Sequence, residues 1–194
     1  MNYPWYTTVE PGTALSQGDL LKDCPTFTAQ DRAENASDRI ESAFIAQKAD
    51  CLVLTQACDL EQEPRAPFVT LAPVYRVDVY RAQWEKGRSA TGKKTDSEAW
   101  RNFLDQARKG HVNNLVLLKE HRVDGLSLLP YQIVDFQETY CLPRTFLEKW
   151  VTLNGQTRFR LLPPYREYVC HAFARHFMRI GLIDEIPLDF ASAL

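Results

Sequence analysis

Between Pro163 and Gly181 the chain places Tyr165, Tyr168, Val169, Ala172, Phe173, His176, Phe177 and Ile180 at the spacing of a single helix face. Pro163-Pro164 opens this segment, where proline suits the first turn, and Gly181 stands where a helix commonly ends. The opposite face carries Glu167, His171, Arg175 and Arg179 at steps of one turn. An apolar stripe that wide must cover another surface, because a lone helix cannot bury it. The rest of the chain reads mainly as short strands, so the surface to be covered is a sheet.

Gln17-Gly-Asp-Leu-Leu21 predicts a turn and a short first strand. Leu52–Leu54 predicts a core strand, and Phe68–Tyr75 a second one whose Pro73 suits an edge or a bulge. Leu115–Leu118 is apolar enough for a buried strand, and Leu126–Leu129 and Tyr131–Phe136 predict two more around Pro130. Asn154-Gly155, set between Val151–Leu153 and Thr157–Leu161, predicts a hairpin with a two-residue turn. That hairpin would put Arg158 and Arg160 on one face and Thr157, Phe159 and Leu161 on the other.

Thr95-x-x-Glu98 reads as a capping box for a mid-chain helix over 95–109, with Trp100, Phe103, Leu104 and Ala107 on its apolar face and Gly110 as its stop. Pro143–Trp150 predicts a short helix. Residues 77–86 fit a helix and a strand equally, residues 29–43 read as a polar loop or weak helix, and residues 1–17 as an irregular arm rich in aromatics. The expected fold is α+β in a single domain over 1–194. A small antiparallel β-barrel or curled sheet (SH3-like) spans 18–161, with the mid-chain helix and a C-terminal amphipathic helix over 163–180 packed against it.

At 194 residues a core can form without disulfides or metal. The five cysteines include no Cys-x-x-Cys pair, no run of about 18 apolar residues occurs, and the N-terminus lacks a signal-peptide pattern. Free thiols, no membrane span and a cytoplasmic location are expected. A net charge of −2 argues against coating of nucleic acid through a broad positive field, while leaving room for a local basic groove.

The segment Cys51-Leu-Val-Leu-Thr-Gln-Ala-Cys-Asp59 runs an apolar strand into Thr55, Gln56, Cys58 and Asp59. Such a strand end can hold a binding site on a rigid element, or simply form a turn with Asp59 bonding backbone amides. A nucleophilic Cys58 needs a base, yet no histidine is near in sequence and the adjacent Asp59 carboxylate opposes a thiolate. The turn is the plainer reading. His111, His121, His171, His176 and Cys170 lack the tight pairing of zinc ligands, so neither metal nor cofactor is expected. Arg158 and Arg160, set beside His171, Arg175 and Arg179 of the final helix, would form an anion-binding strip for nucleic acid or an acidic partner. Tyr165 or Tyr168 would flank it and stack a base. The alternative is a solvated helix face. Gly87-x-x-x-x-Gly92-Lys93-Lys94 lacks the Ser/Thr and the preceding strand of a phosphate loop.

Gly18-Asp19-Leu20, Leu52-Val-Leu-Thr55 and Val69-Thr-Leu-Ala-Pro73 resemble three strands of the SH3-like barrel of the MazF/PemK toxins. The resemblance implies a barrel and a ribonuclease or nucleic-acid-binding role. Only Gly18, Asp19 and Thr55 carry over by position, and the basic loop of such toxins is replaced by the polar 29–43 stretch. The Thr-Gln-x-Cys-Asp strand end, with Leu162-Pro-Pro-Tyr-Arg-Glu-Tyr168, resembles uncharacterised bacterial proteins of multi-gene, defence-type systems, which implies protein partners.

The leading functional expectation is a non-enzymatic binding or adaptor subunit of such a system, with Tyr3, Trp5 and Tyr6 offered to a partner. One alternative is a nucleic-acid-binding or ribonuclease barrel using Asp19, Thr55, Asp59 and the arginine strip. The other is a small-molecule or nucleotide sensor with its pocket at the end of the 52–55 strand.

Overall fold

The computed structural model describes residues 3–29, 44–62, 66–123 and 126–178. Residues 30–43 of the polar stretch, and Arg179, Ile180 and Gly181 of the final-helix pattern, lie outside the described residues. The fold is mixed α/β, with an antiparallel sheet and five helices among the described residues.

The N-terminal half contributes β1 (Tyr6–Val9), β2 (Asp19–Ala29), β3 (Phe44–Val53), the short helix α1 (Ala57–Glu61) and β4 (Phe68–Arg76). Helices α2 (Val77–Ser89) and α3 (Ser97–Arg108) follow, then β5 (Leu115–Leu118), the hairpin β6 (His121–Val123) and β7 (Leu126–Leu129), and β8 (Gln132–Asp135). The chain continues through β9 (Tyr140–Pro143), α4 (Arg144–Asn154), β10 (Arg158–Leu161) and α5 (Tyr165–Phe177). The main sheet runs in the order β1-β10-β2-β3-β4-β8-β5, with β9 beside the first half of β4.

Among the described residues this sheet is not closed into a barrel, because its end strands β1 and β5 do not pair. It curls instead until the two ends meet through side chains. The Tyr6 hydroxyl donates to the Lys119 carbonyl at 2.7 Å, and the Tyr6 ring lies 5.6 Å from that of His121. Helix α5 fills the opening between the ends, with Val169 and Ala172 in the same core cluster as Tyr6, Leu118 and Leu161. An apolar helix face occupies the place that backbone pairing takes in a closed barrel.

Strand alternation sorts the rest of the interior. Leu52, Ala72, Val74 and Val134 face the α5 side. Cys51, Val53, Val69 and Leu71 face the other way, where Leu147 and Val151 of α4 cover them. A third cluster joins Tyr80 and Trp84 of α2, Trp100 of α3, Leu115 and Ile133. Residues 24–29 and 44–49 pair only with each other, so the β2–β3 ribbon extends beyond its neighbours.

Several local expectations are corrected. Asn154-Gly155 ends α4 rather than turning a hairpin: Gly155 has φ +57° and its N–H reaches the Val151 carbonyl at 3.3 Å. Burial of Leu147 and Val151 on one helix face outweighs the local hairpin preference, and β10 pairs with β1 and β2 instead. Ala72 and Pro73 fall between the β4 pairings with β9 and with β8, so Pro73 lies inside the sheet at a change of partner. The cap of α3 is Asp96, one residue later than Thr95, and its side chain accepts from the Ala99 N–H at 2.8 Å. Residues 77–89 are helical because Tyr80 and Trp84, one turn apart, are buried together. Within the expected irregular arm, residues 6–9 form a strand and bury Tyr6 and Val9.

Asp135 closes β8 and is buried, accepting from the Tyr80 hydroxyl at 3.1 Å and the Gln137 N–H at 2.9 Å. Burial raises its carboxyl above the ordinary value of 3.8. Between that value and the raised one the folded state binds more protons than the unfolded state. This share of stability is therefore full at low pH and is lost as pH rises through the raised value. Asp135→Asn is expected to remove that fall, so urea unfolding of the two proteins from about pH 4 to 7 should give diverging curves. Parallel curves would assign the pH dependence to another group. No helix among the described residues is long and apolar enough to cross a membrane.

Candidate nucleic-acid interface

The polar strand end is split between structure and surface. Thr55 Oγ1 accepts the Thr70 N–H at 2.8 Å and so ties β3 to β4. Gln56 occupies the cap position of α1, and Cys58 is exposed, its Sγ 3.6 Å from Gln56 Oε1 and 3.9 Å from Asp59 Oδ1. Gln56 and Cys58 share a shallow cleft of about 380 Å³ with Gln17, Ala57, Glu167 and Cys170, and no arginine or histidine lines it. Asp59 does not line it either. Gln17 Nε2 donates to Cys170 Sγ at 2.8 Å, and burial pushes the Cys170 thiol up. The hydrogen bond with Cys24 and burial push the Cys51 thiol up as well. Neither is an activated thiolate. Among the described residues no three His, Cys, Asp or Glu side chains converge as metal ligands would.

The two strand arginines of the expected strip are held by a buried carboxylate. Because β10 lies beside β2, Arg160 is in register with Asp19, and its Nε and Nη2 contact the two carboxylate oxygens at 2.5 and 3.0 Å. Arg158 Nε is 3.3 Å from the same carboxylate, and its Nη2 donates to the carbonyls of Thr13 and Ala14 at 2.9 and 3.2 Å. Asp19, fully buried, also accepts the Ser16 N–H at 3.0 Å. These groups pin the segment after β1 onto the sheet. On α5, His171 is exposed, and Arg175 donates to the Gly110 carbonyl at 2.9 Å. Arg179 lies outside the described residues.

A different surface unites aromatic and basic groups. Trp5 stacks on Tyr165 with centroids 3.9 Å apart and planes 14° apart, so the aromatic arm is folded onto α5 rather than held out to a partner. Of the arm's described aromatic side chains, Tyr3 is largely exposed, Trp5 half-buried and Tyr6 buried. The stacked pair lines a cleft of about 490 Å³ together with Tyr131, Tyr168, Leu117, Arg108, Lys109 and Lys119. Tyr131 and Tyr168 are 45% and 40% exposed, enough to present ring surface to a ligand.

The cleft forms where the α3 end meets α5. Gly110, at φ +72°, permits a close approach, since a Cβ there would lie 3.1 Å from the Tyr168 hydroxyl. Arg108 and Lys109 both pair with Asp105, at 2.7 and 2.5 Å, and Lys109 and Arg108 hold that carboxyl below its usual range. Among the described residues no carboxylate pairs with Lys119. Three cations against one anion leave the cleft positive within a chain of net charge −2.

On the other flank of α3 a second groove of about 590 Å³ is lined by Arg88, Lys93, Lys94, Phe103 and His111, among others. Arg88 lies over the Trp84 ring at 4.9 Å. The two basic clefts therefore adjoin one helix. Sequence reasoning singled out Trp5, Tyr165 and Tyr168 but missed Arg108, Lys109, Lys119 and Tyr131, whose shared cleft depends on packing between distant elements.

Compared with known proteins, the chain matches no family model, no curated protein and no solved structure.

Proposed function

We propose that this protein is a non-enzymatic binding subunit that holds single-stranded nucleic acid across the C-terminal end of α3. The observation that carries this reading is the single cleft in which the Trp5–Tyr165 stack, Tyr131 and Tyr168 meet Arg108, Lys109 and Lys119. Unstacked bases lie on aromatic rings while phosphates follow cations, a pairing that tolerates any base sequence. The adjoining groove with Arg88, Lys93 and Lys94 extends the positive surface past a mononucleotide and favours a strand. Asp19 and Thr55, the positions shared with the toxin resemblance, are engaged in an ion pair and a backbone bond, which favours holding over cutting.

Fluorescence anisotropy with a labelled oligonucleotide of about ten nucleotides tests the proposal at several salt concentrations. Affinity is expected to fall steeply with salt, by a slope of about 0.7 per phosphate neutralised. Tyr168→Ala should weaken binding about tenfold. Lys119→Glu should both weaken binding and flatten the salt dependence. Absence of binding at low salt, or binding indifferent to both variants, would refute the reading.

A further inference from the structure

The groove on the second flank of α3 differs in chemistry from the aromatic cleft. The cleft offers rings and cations but no carboxamide, a lining that holds any base. The groove adds Asn102 and Gln106. Ala99, Asn102, Phe103 and Gln106 stand at i, i+3, i+4 and i+7 of α3, so all four lie on one helix face. Ala99, Phe103 and Val112 are half-buried and give the groove an apolar lining on which a flat ring can lie. Asn102 and Gln106 are exposed beside them.

Both amides have bonding capacity to spare. Gln106 Oε1 meets His111 Nδ1 at 2.9 Å, which holds the side chain and leaves Nε2 to donate elsewhere. The Asn102 amide has no hydrogen-bond partner among the described residues. None of the residues lining the groove is a carboxylate. Arg88 is already held, its Nε donating to the Lys94 carbonyl at 2.7 Å, so Lys93 and Lys94 bring the free ammonium groups.

A carboxamide presents a donor and an acceptor side by side. Adenine presents the complementary pair on its N6/N7 edge, where guanine shows two acceptors, cytosine a lone donor, and thymine a carbonyl oxygen beside a methyl group. We propose that this groove is a base-reading subsite for adenine in the strand held by the aromatic cleft, with Asn102 setting the preference; this rests on the nucleic-acid reading above. The ring packs on Ala99, Phe103 and Val112, and Asn102 takes N6 and N7. Gln106 Nε2 donates to a further ring nitrogen, while Lys93 and Lys94 meet the flanking phosphates.

The test measures anisotropy of the full chain with labelled thymine deoxyoligonucleotides of about ten nucleotides, unaltered or carrying one central adenine, guanine or cytosine. The adenine strand should bind about tenfold more tightly than the all-thymine strand, and the guanine and cytosine strands should stay near the latter. Asn102→Ala should bind the adenine and all-thymine strands alike. Tyr168→Ala, in the sequence-tolerant cleft, should weaken every strand and keep the adenine preference. Equal binding of all the strands by the unmodified protein, or an adenine preference that survives Asn102→Ala, overturns the base-reading groove and leaves the holding cleft standing. Failure of every strand to bind at low salt overturns both. The comparison among strands is made on the unmodified protein, so it stands even if a variant folds poorly.

Discussion

A chain ending at Leu162 is expected to lose its cooperative unfolding transition. Helix α5 supplies Val169 and Ala172 to the core cluster between the sheet ends, with Tyr165 and Phe173 packed against it. Full burial of a Val- or Phe-sized side chain stabilises by about 1.5–3 kcal/mol, so Val169 with the half-buried Tyr165 and Phe173 contributes roughly 3–6 kcal/mol. That approaches the whole stability of a marginal domain, about 5 kcal/mol. Truncation would also uncover Leu118, Val134 and Leu161 in the opening between the sheet ends. Circular dichroism through a urea titration reads the outcome, and a sharp transition at a near-native midpoint would show that α5 is not part of the core. Val169→Asp in the full chain should reproduce most of the loss by burying an unpaired charge.

Asp19→Ala is expected to destabilise the protein by about 3–5 kcal/mol, among the largest effects of any single substitution here. The carboxylate is fully buried, bonded through both oxygens to Arg160 and close to Arg158. Removing it leaves two guanidinium groups facing each other with no counter-charge. The Ser16 N–H loses its acceptor as well, so the segment from Thr13 to Gly18 should become more open to proteolysis. Urea midpoints measure the loss, and the double variant with Arg160→Met should recover part of it by removing one stranded charge. A loss below about 1 kcal/mol would mean that the cluster behaves as a solvent-exposed pair.

The elements that sequence reasoning placed well are those whose own side chains decide them. Val169 and Ala172 are buried where the helical stripe puts them, and Leu52, Leu71 and Leu118 are buried in strands. The misreadings share one cause, a local signal outweighed by distant packing. Asn154-Gly155 is a strong hairpin dipeptide, yet the burial of Leu147 and Val151 makes it a helix stop. Arg160 meets Asp19 across 141 residues of chain, and only the neighbourhood of β10 and β2 reveals that its charge is already answered. The aromatic cleft was legible only in part, because Trp5, Tyr131, Lys119 and Arg108 come from four separate stretches.

The unpaired ends of the sheet give the molecule a seam, and the aromatic cleft straddles it. Trp5 leads into β1, Leu117 and Lys119 belong to or adjoin β5, and Tyr165 and Tyr168 project from α5, the stave between them. A strand laid in this cleft would suture all three margins at once. If the proposed binding holds, occupancy of the cleft and closure of the seam would be linked, and each base or phosphate bound there would add to the resistance of the fold to opening along it.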